Sequence, residues 1–91
     1  MKQLAFKKKW IEPVLAGEKT STIRARTSFQ VGELVAARCS RQGPPFAQLE
    51  IVGVRPLKRA SLDLEVAAAE GVLRIYPEAE DLVEIGFKRV G

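Results

Sequence analysis

The chain has 91 residues, 46% hydrophobic and 29% charged, with a net charge of +4. That length suits one domain with a modest core, and the composition excludes disorder along the whole chain. With no histidine and one cysteine, Cys39, it excludes histidine-based triads, internal disulfides and cysteine-built metal clusters, so neither a metal nor a cofactor is expected.

The charge is unevenly spread. Residues 1–59 hold 12 of the 15 basic residues and four of the 11 acids. A basic field of this kind permits a nucleic-acid or phosphate partner without requiring one. The first residues carry no apolar run of signal-peptide length, and nothing approaches the roughly 20 apolar residues of a membrane span. A cytoplasmic protein without a membrane partner is expected, and a monomer by default.

In chain order, "QLAF" predicts a first strand. In "KKKWIEPVLAG", Trp10 and Val14, then Ile11 and Leu15, recur at helical spacing. Pro13 fits only in a first turn, so the helix should start near Lys9 or Trp10. Gly17 should end it. "KTSTIRAR" is rich in β-branched residues and predicts a strand. A turn is expected at Val31-Gly32, then a strand over "LVAARCS" with Cys39 packed inside, then a turn at "RQGPP". "FAQLEIVGV" predicts a strand with Leu49 and Ile51 facing the core. "RPLKRA" reads as a basic connector. Ser61 is an apt N-cap for a second helix over "LDLEVAAAEGVL". "LVEIGFKRV" predicts a closing strand that alternates Val83, Ile85 and Phe87 with polar partners. About five strands and two short helices in so small a chain favour an α+β, mainly β, partly closed barrel with helices at its ends.

The stretch "GEKTSTIR" (17–24) holds more chemistry than a turn needs. If residues 20–24 are extended, Thr20, Thr22 and Arg24 share one face and Ser21 and Ile23 the other. Ile23 is then expected in the barrel core. Lys19 has the wrong parity to join Thr22 within a regular strand, and reaches the same pocket only from a turn after Gly17.

Four pieces in order, "VLAGEKTSTIR" (14–24), "FQVGELV" (29–35), "AEGVLRIYP" (69–77) and "VEIGFKRV" (83–90), resemble the ASCH domain family. The resemblance spans nearly the whole chain as a single domain over 1–91. It implies a small PUA-like β-barrel associated with RNA or modified nucleosides. It also shows partial similarity to a branch that removes the acetyl group from N4-acetylcytidine. In that branch a lysine and a threonine act with a later glutamate, which places the roles on Lys19, Thr22 and Glu70. Arg24 matches the family's motif arginine.

Two activities are compatible with these residues. In a binding module, Lys19, Thr20, Thr22, Arg24 and Arg26 would line a basic, hydroxyl-rich pocket for RNA, a nucleoside or a nucleotide. Lysine would serve there as a point charge, arginine as a fork, and the Trp10 ring as support for a base. In an amidohydrolase, Lys19 would take the proton of Thr22, Thr22 would attack an acyl carbon, and Glu70 would manage the proton of the leaving amine. RNA cleavage is a third, weaker possibility. The binding module stands narrowly first on sequence alone.

Overall fold

The computed structural model describes residues 1–39, 43–62, 74, 78 and 80–91. Its strands are β1 (Lys2–Ala5), β2 (Ser21–Arg24), β3 (Leu34–Arg38), β4 (Pro45–Lys58) and β5 (Asp81–Arg89). They form one five-stranded sheet in the order β1-β3-β4-β5-β2. Among the described residues only the β1–β3 pair is parallel. The sheet curls into a half-barrel, so the mainly β, PUA-like architecture expected from the sequence is the one observed. A single turn of 3-10 helix (Lys8–Trp10) leads into the short helix α1 (Ile11–Leu15). The second helix expected after Ser61 lies outside the described residues. Ser61 itself closes a 3-10 turn over Arg59–Ser61.

The core follows from strand alternation on one face. Val35 pairs with Leu49, Ala37 with Ala47 and with Leu4, and Ile51 with Phe87. All of these are buried, and Phe6 and Val14 pack onto them. Phe6 meets Phe87 edge-on at 5.5 Å between ring centroids, a favoured aromatic geometry. Leu49 and Ile51 thus sit where the alternation placed them.

Three expectations are corrected. The basic connector "RPLKRA" is largely strand, because β4 continues through Pro56 to Lys58 and pairs there with β5. Among the described residues that half of β4 pairs with β5 alone, an edge setting in which a proline is tolerated. Cys39 is exposed just past the end of β3 rather than packed within a strand. Ile23 is buried, but in a second cluster with Leu82, backed by Leu57 and Leu62. The register explains this. Thr22 stands opposite the core residue Ile85, so the threonine faces inward and Ile23 packs on the outer face of the sheet. An irregularity between Ile51 and Gly53 shifts the alternation of β4 by one residue, which carries Leu57 to that same outer face.

The turn at Val31-Gly32 is present, with Gly32 at φ +92°. Glu33 secures it, accepting the Gln30 N–H at 3.1 Å and pairing with Lys2 at 3.2 Å. The backbone bond from Gln30, then Lys2, hold the Glu33 carboxyl below its ordinary pKa.

Two outcomes follow. Ile23→Ala should lower stability by about 2–4 kcal/mol in urea denaturation, although the residue lies outside the main core. Because the folded-state pKa of Glu33 is depressed, its stabilisation is present above the unfolded carboxylate pKa and lost as pH falls through the folded value. The difference in melting temperature between wild type and Glu33→Gln should therefore shrink between about pH 6 and pH 3.

Candidate functional site

The site begins at the end of α1. Gly17, at φ +76°, donates its N–H to Val14, and Glu18 donates to Pro13. This paired closure, with glycine in the left-handed conformation, is a Schellman motif. The Lys19 N–H also reaches the Pro13 carbonyl, at 3.1 Å. The chain is thereby fixed in a turn through Lys19 before β2 starts at Ser21. Lys19 thus sits in the turn after Gly17, ahead of the strand, as its parity required.

Lys19 is buried, at 8% relative exposure, and its Nζ lies 4.0 Å from the centroid of the Trp10 ring. That distance is well inside cation–π range. Lys9 approaches the same ring at 5.0 Å. Trp10 is therefore a wall of the site, with Pro13, Glu18, Lys19, Thr20 and Ser21 around a cavity of about 360 Å³.

Thr22 is 1% exposed and faces the core side of the sheet. Its Oγ1 accepts a hydrogen bond from Arg24 Nη1 at 2.5 Å. The same nitrogen donates to the Ile23 carbonyl at 3.1 Å, and Nη2 donates to the Ala5 carbonyl at 2.6 Å. Thr22 and Arg24 belong to one edge strand of the sheet, Ala5 to the other. One guanidinium thus spans the gap between the two edges while holding the buried hydroxyl. A second cavity, of about 490 Å³, opens at this gap; Gln3, Ala5, Arg24, Arg26 and Phe29 are among its walls.

The sequence-predicted residues are therefore brought to two neighbouring places rather than one. Trp10, Lys19 and Thr20 line the smaller cavity. Arg24 and Arg26 line the larger. Thr22 lies between them along β2, walled by neither and hydrogen-bonded from the second. Glu70 lies outside the described residues, as does Tyr76. Among the described residues no group of acidic, cysteine or histidine side chains could hold a metal ion, and no helix is long and apolar enough to cross a membrane. Sequence reasoning missed the role of Ala5 and of the other β1 residues, since backbone carbonyls leave no mark in residue type.

Solved structures share this fold. An ASCH domain from Lactobacillus crispatus JV V101 superposes with a TM-score of 0.64 at 20% identity, covering 89% of this chain and 70% of that one. A DUF984 protein of Enterococcus faecalis V583 gives 0.67 at 17% identity, covering 99% and 81%. Among curated proteins, the N(4)-acetylcytidine amidohydrolase of Edwardsiella ictaluri is 33% identical over 96% of this chain and 92% of its own length. The chain belongs to the ASCH family. A further ASCH relative, the N(4)-acetylcytidine amidohydrolase of Vibrio vulnificus strain YJ016, is 30% identical over 97% of this chain and 95% of its own. No family model matches the chain.

Removing the Arg24 bridge should be costly in this ASCH domain. Arg24→Met removes the charged hydrogen bond to the buried Thr22 hydroxyl and unlinks the edge strands, and is expected to cost about 2–3 kcal/mol in urea unfolding. The control Arg26→Met, on an exposed side chain just past the end of β2, should change stability by less than about 0.5 kcal/mol.

Proposed function

We propose that this protein hydrolyses the N4-acyl amide of acylated cytidine nucleosides, with Thr22, Lys19 and Glu70 as the acting residues. The observation that carries this reading is the burial of Lys19 and Thr22 beside Trp10 and Arg24. A lysine that clamps a nucleic-acid backbone stands in water, where phosphates pass. A withdrawn lysine and a withdrawn hydroxyl three residues apart in one short segment suit acyl transfer, because water-poor surroundings strengthen every charge interaction at the reacting atoms. The names of the curated relatives, which align over nearly the whole chain, support the same reading.

Thr22 Oγ1 bonds to the acyl carbon as its proton passes to Lys19. The carbon–nitrogen bond then breaks, and Glu70 delivers a proton to the leaving N4 amine. Water adds to the Thr22 ester, releasing the carboxylic acid and restoring the hydroxyl. Arg24, already on Oγ1, offsets negative charge developing on that oxygen.

Binding of RNA as the sole activity takes second place. Arg24 directs its donors to Thr22 and to the Ile23 and Ala5 carbonyls rather than outward as a phosphate fork.

Purified protein should release cytidine from N4-acetylcytidine. Thr22→Val and Lys19→Met should each lower kcat/KM by about a hundredfold or more, measured by chromatography of the nucleoside products. Substrate left intact by the wild-type protein after long incubation would remove this reading.

A further inference from the structure

The two cavities flank Thr22 from opposite sides along β2, and their charges differ. The smaller contains a carboxylate, Glu18, beside Lys19. The larger presents two guanidinium groups, Arg24 and Arg26, the hydroxyls of Thr27 and Ser28, and no acid among its described walls. An anion entering the site is therefore drawn to the larger cavity, at the open seam between β1 and β2. Its volume of about 490 Å³ lies within the range of small-ligand sites.

The two arginines are not equivalent. Arg24 is turned inward to Thr22 and to the carbonyls of Ile23 and Ala5, so its charge lines the cavity while both terminal nitrogens bond within the protein. Arg26 is exposed at the cavity, and its guanidinium makes no hydrogen bond or ion pair with the described residues. Its fork is open to an incoming phosphate, which it can meet with two parallel hydrogen bonds. The loop beyond it is held in shape. The Phe29 N–H bonds to Thr27 Oγ1 at 3.0 Å, and Lys2 Nζ bonds to the Ser28 carbonyl at 3.1 Å. The nearby acid, Glu33, is taken up by Lys2 and by the Gln30 N–H, so it does not compete for Arg26.

We propose that the seam between β1 and β2 is a phosphate subsite, with Arg26 as its binding cation. A cytidine derivative that carries a phosphate then binds more tightly than the bare nucleoside, which remains a substrate. The subsite rests on the reading of the protein as a hydrolase of acylated cytidines for its choice of base, but its phosphate recognition is tested without turnover.

The experiment is binding of cytidine 5′-monophosphate against cytidine to the full chain at low salt, by calorimetry and by amide shifts in NMR. The monophosphate should bind about tenfold more tightly. The phosphate-dependent shifts should fall on Ala5 and on residues 26–29. In Arg26→Gln the preference should collapse towards one. A cytidine trinucleotide distinguishes the source of the phosphate: equal or tighter binding identifies an RNA segment, weaker binding a mononucleotide, and both keep the subsite. Equal affinity for nucleotide and nucleoside, no binding of either at millimolar concentration, a preference that survives in Arg26→Gln, or shifts confined to residues 18–21 would each overturn it. Failure of N4-acetylcytidine hydrolysis with these binding results intact would remove the proposed reaction and leave the phosphate subsite standing.

Discussion

A curled sheet of five strands that does not close leaves two raw edges, and here one side chain joins them. Arg24 projects from edge strand β2, hydrogen-bonds to the Ala5 carbonyl on edge strand β1, and holds the Thr22 hydroxyl on the way. Unpaired backbone groups at a sheet edge are a liability in a small domain. A guanidinium suits the place, because its several donors lie in a rigid plane and its charge strengthens each bond. Lysine, with a single donating head, could not reach a hydroxyl and two carbonyls at once. The cavities, the burial of Thr22 and the orientation of β2 are all arranged about this link.

The same link explains why the inward face of β2 is polar. A four-residue strand next to an aliphatic core would ordinarily bury its β-branched hydrocarbon there. Instead Thr22 stands opposite Ile85, and Ile23 goes outward to Leu82. The threonine hydroxyl is affordable inside because Arg24 satisfies it; an unsatisfied hydroxyl at that depth would be costly. The outer cluster of Ile23 and Leu82, backed by Leu57, in turn anchors the far side of β2 and keeps the polar face turned in.

Much of this was legible in the residues, and the misses have physical reasons. Apolar and β-branched runs located β1 to β3 and period-two alternation located β4 and β5, while parity separated Thr22 from Ile23; Thr20 and Ser21, however, line one cavity together. Parity also required Lys19 to enter from a turn, which the Schellman closure at Gly17 provides. Parity cannot say which of two faces is inside, however. Hydrophobicity alone favours Ile23 as the inward residue, and the register places Thr22 there instead. The length of β4 was missed because Pro56 reads as a breaker, and only tertiary pairing tells that it lies on a half-strand that, among the described residues, pairs with β5 alone. The bridge to Ala5 was invisible for a simpler reason: its acceptor is backbone, which every residue type carries.

Burial also alters what Lys19 can be used for. On an exposed loop its charge would be one of many in a basic field, screened within about 10 Å at ordinary salt. Under the Trp10 ring it is instead held at a defined position, a few residues before a buried hydroxyl. Positioning of this kind contributes little to the attraction of a long polyanion, which depends on the number of accessible cations. It contributes a great deal to a reaction at one atom, where orientation and a dry environment lower the barrier. Under the proposed function, the division between the buried Lys19 and Thr22 and the accessible Arg26 at the seam separates two tasks within one short segment: chemistry inside the sheet, and capture of charge at its opening.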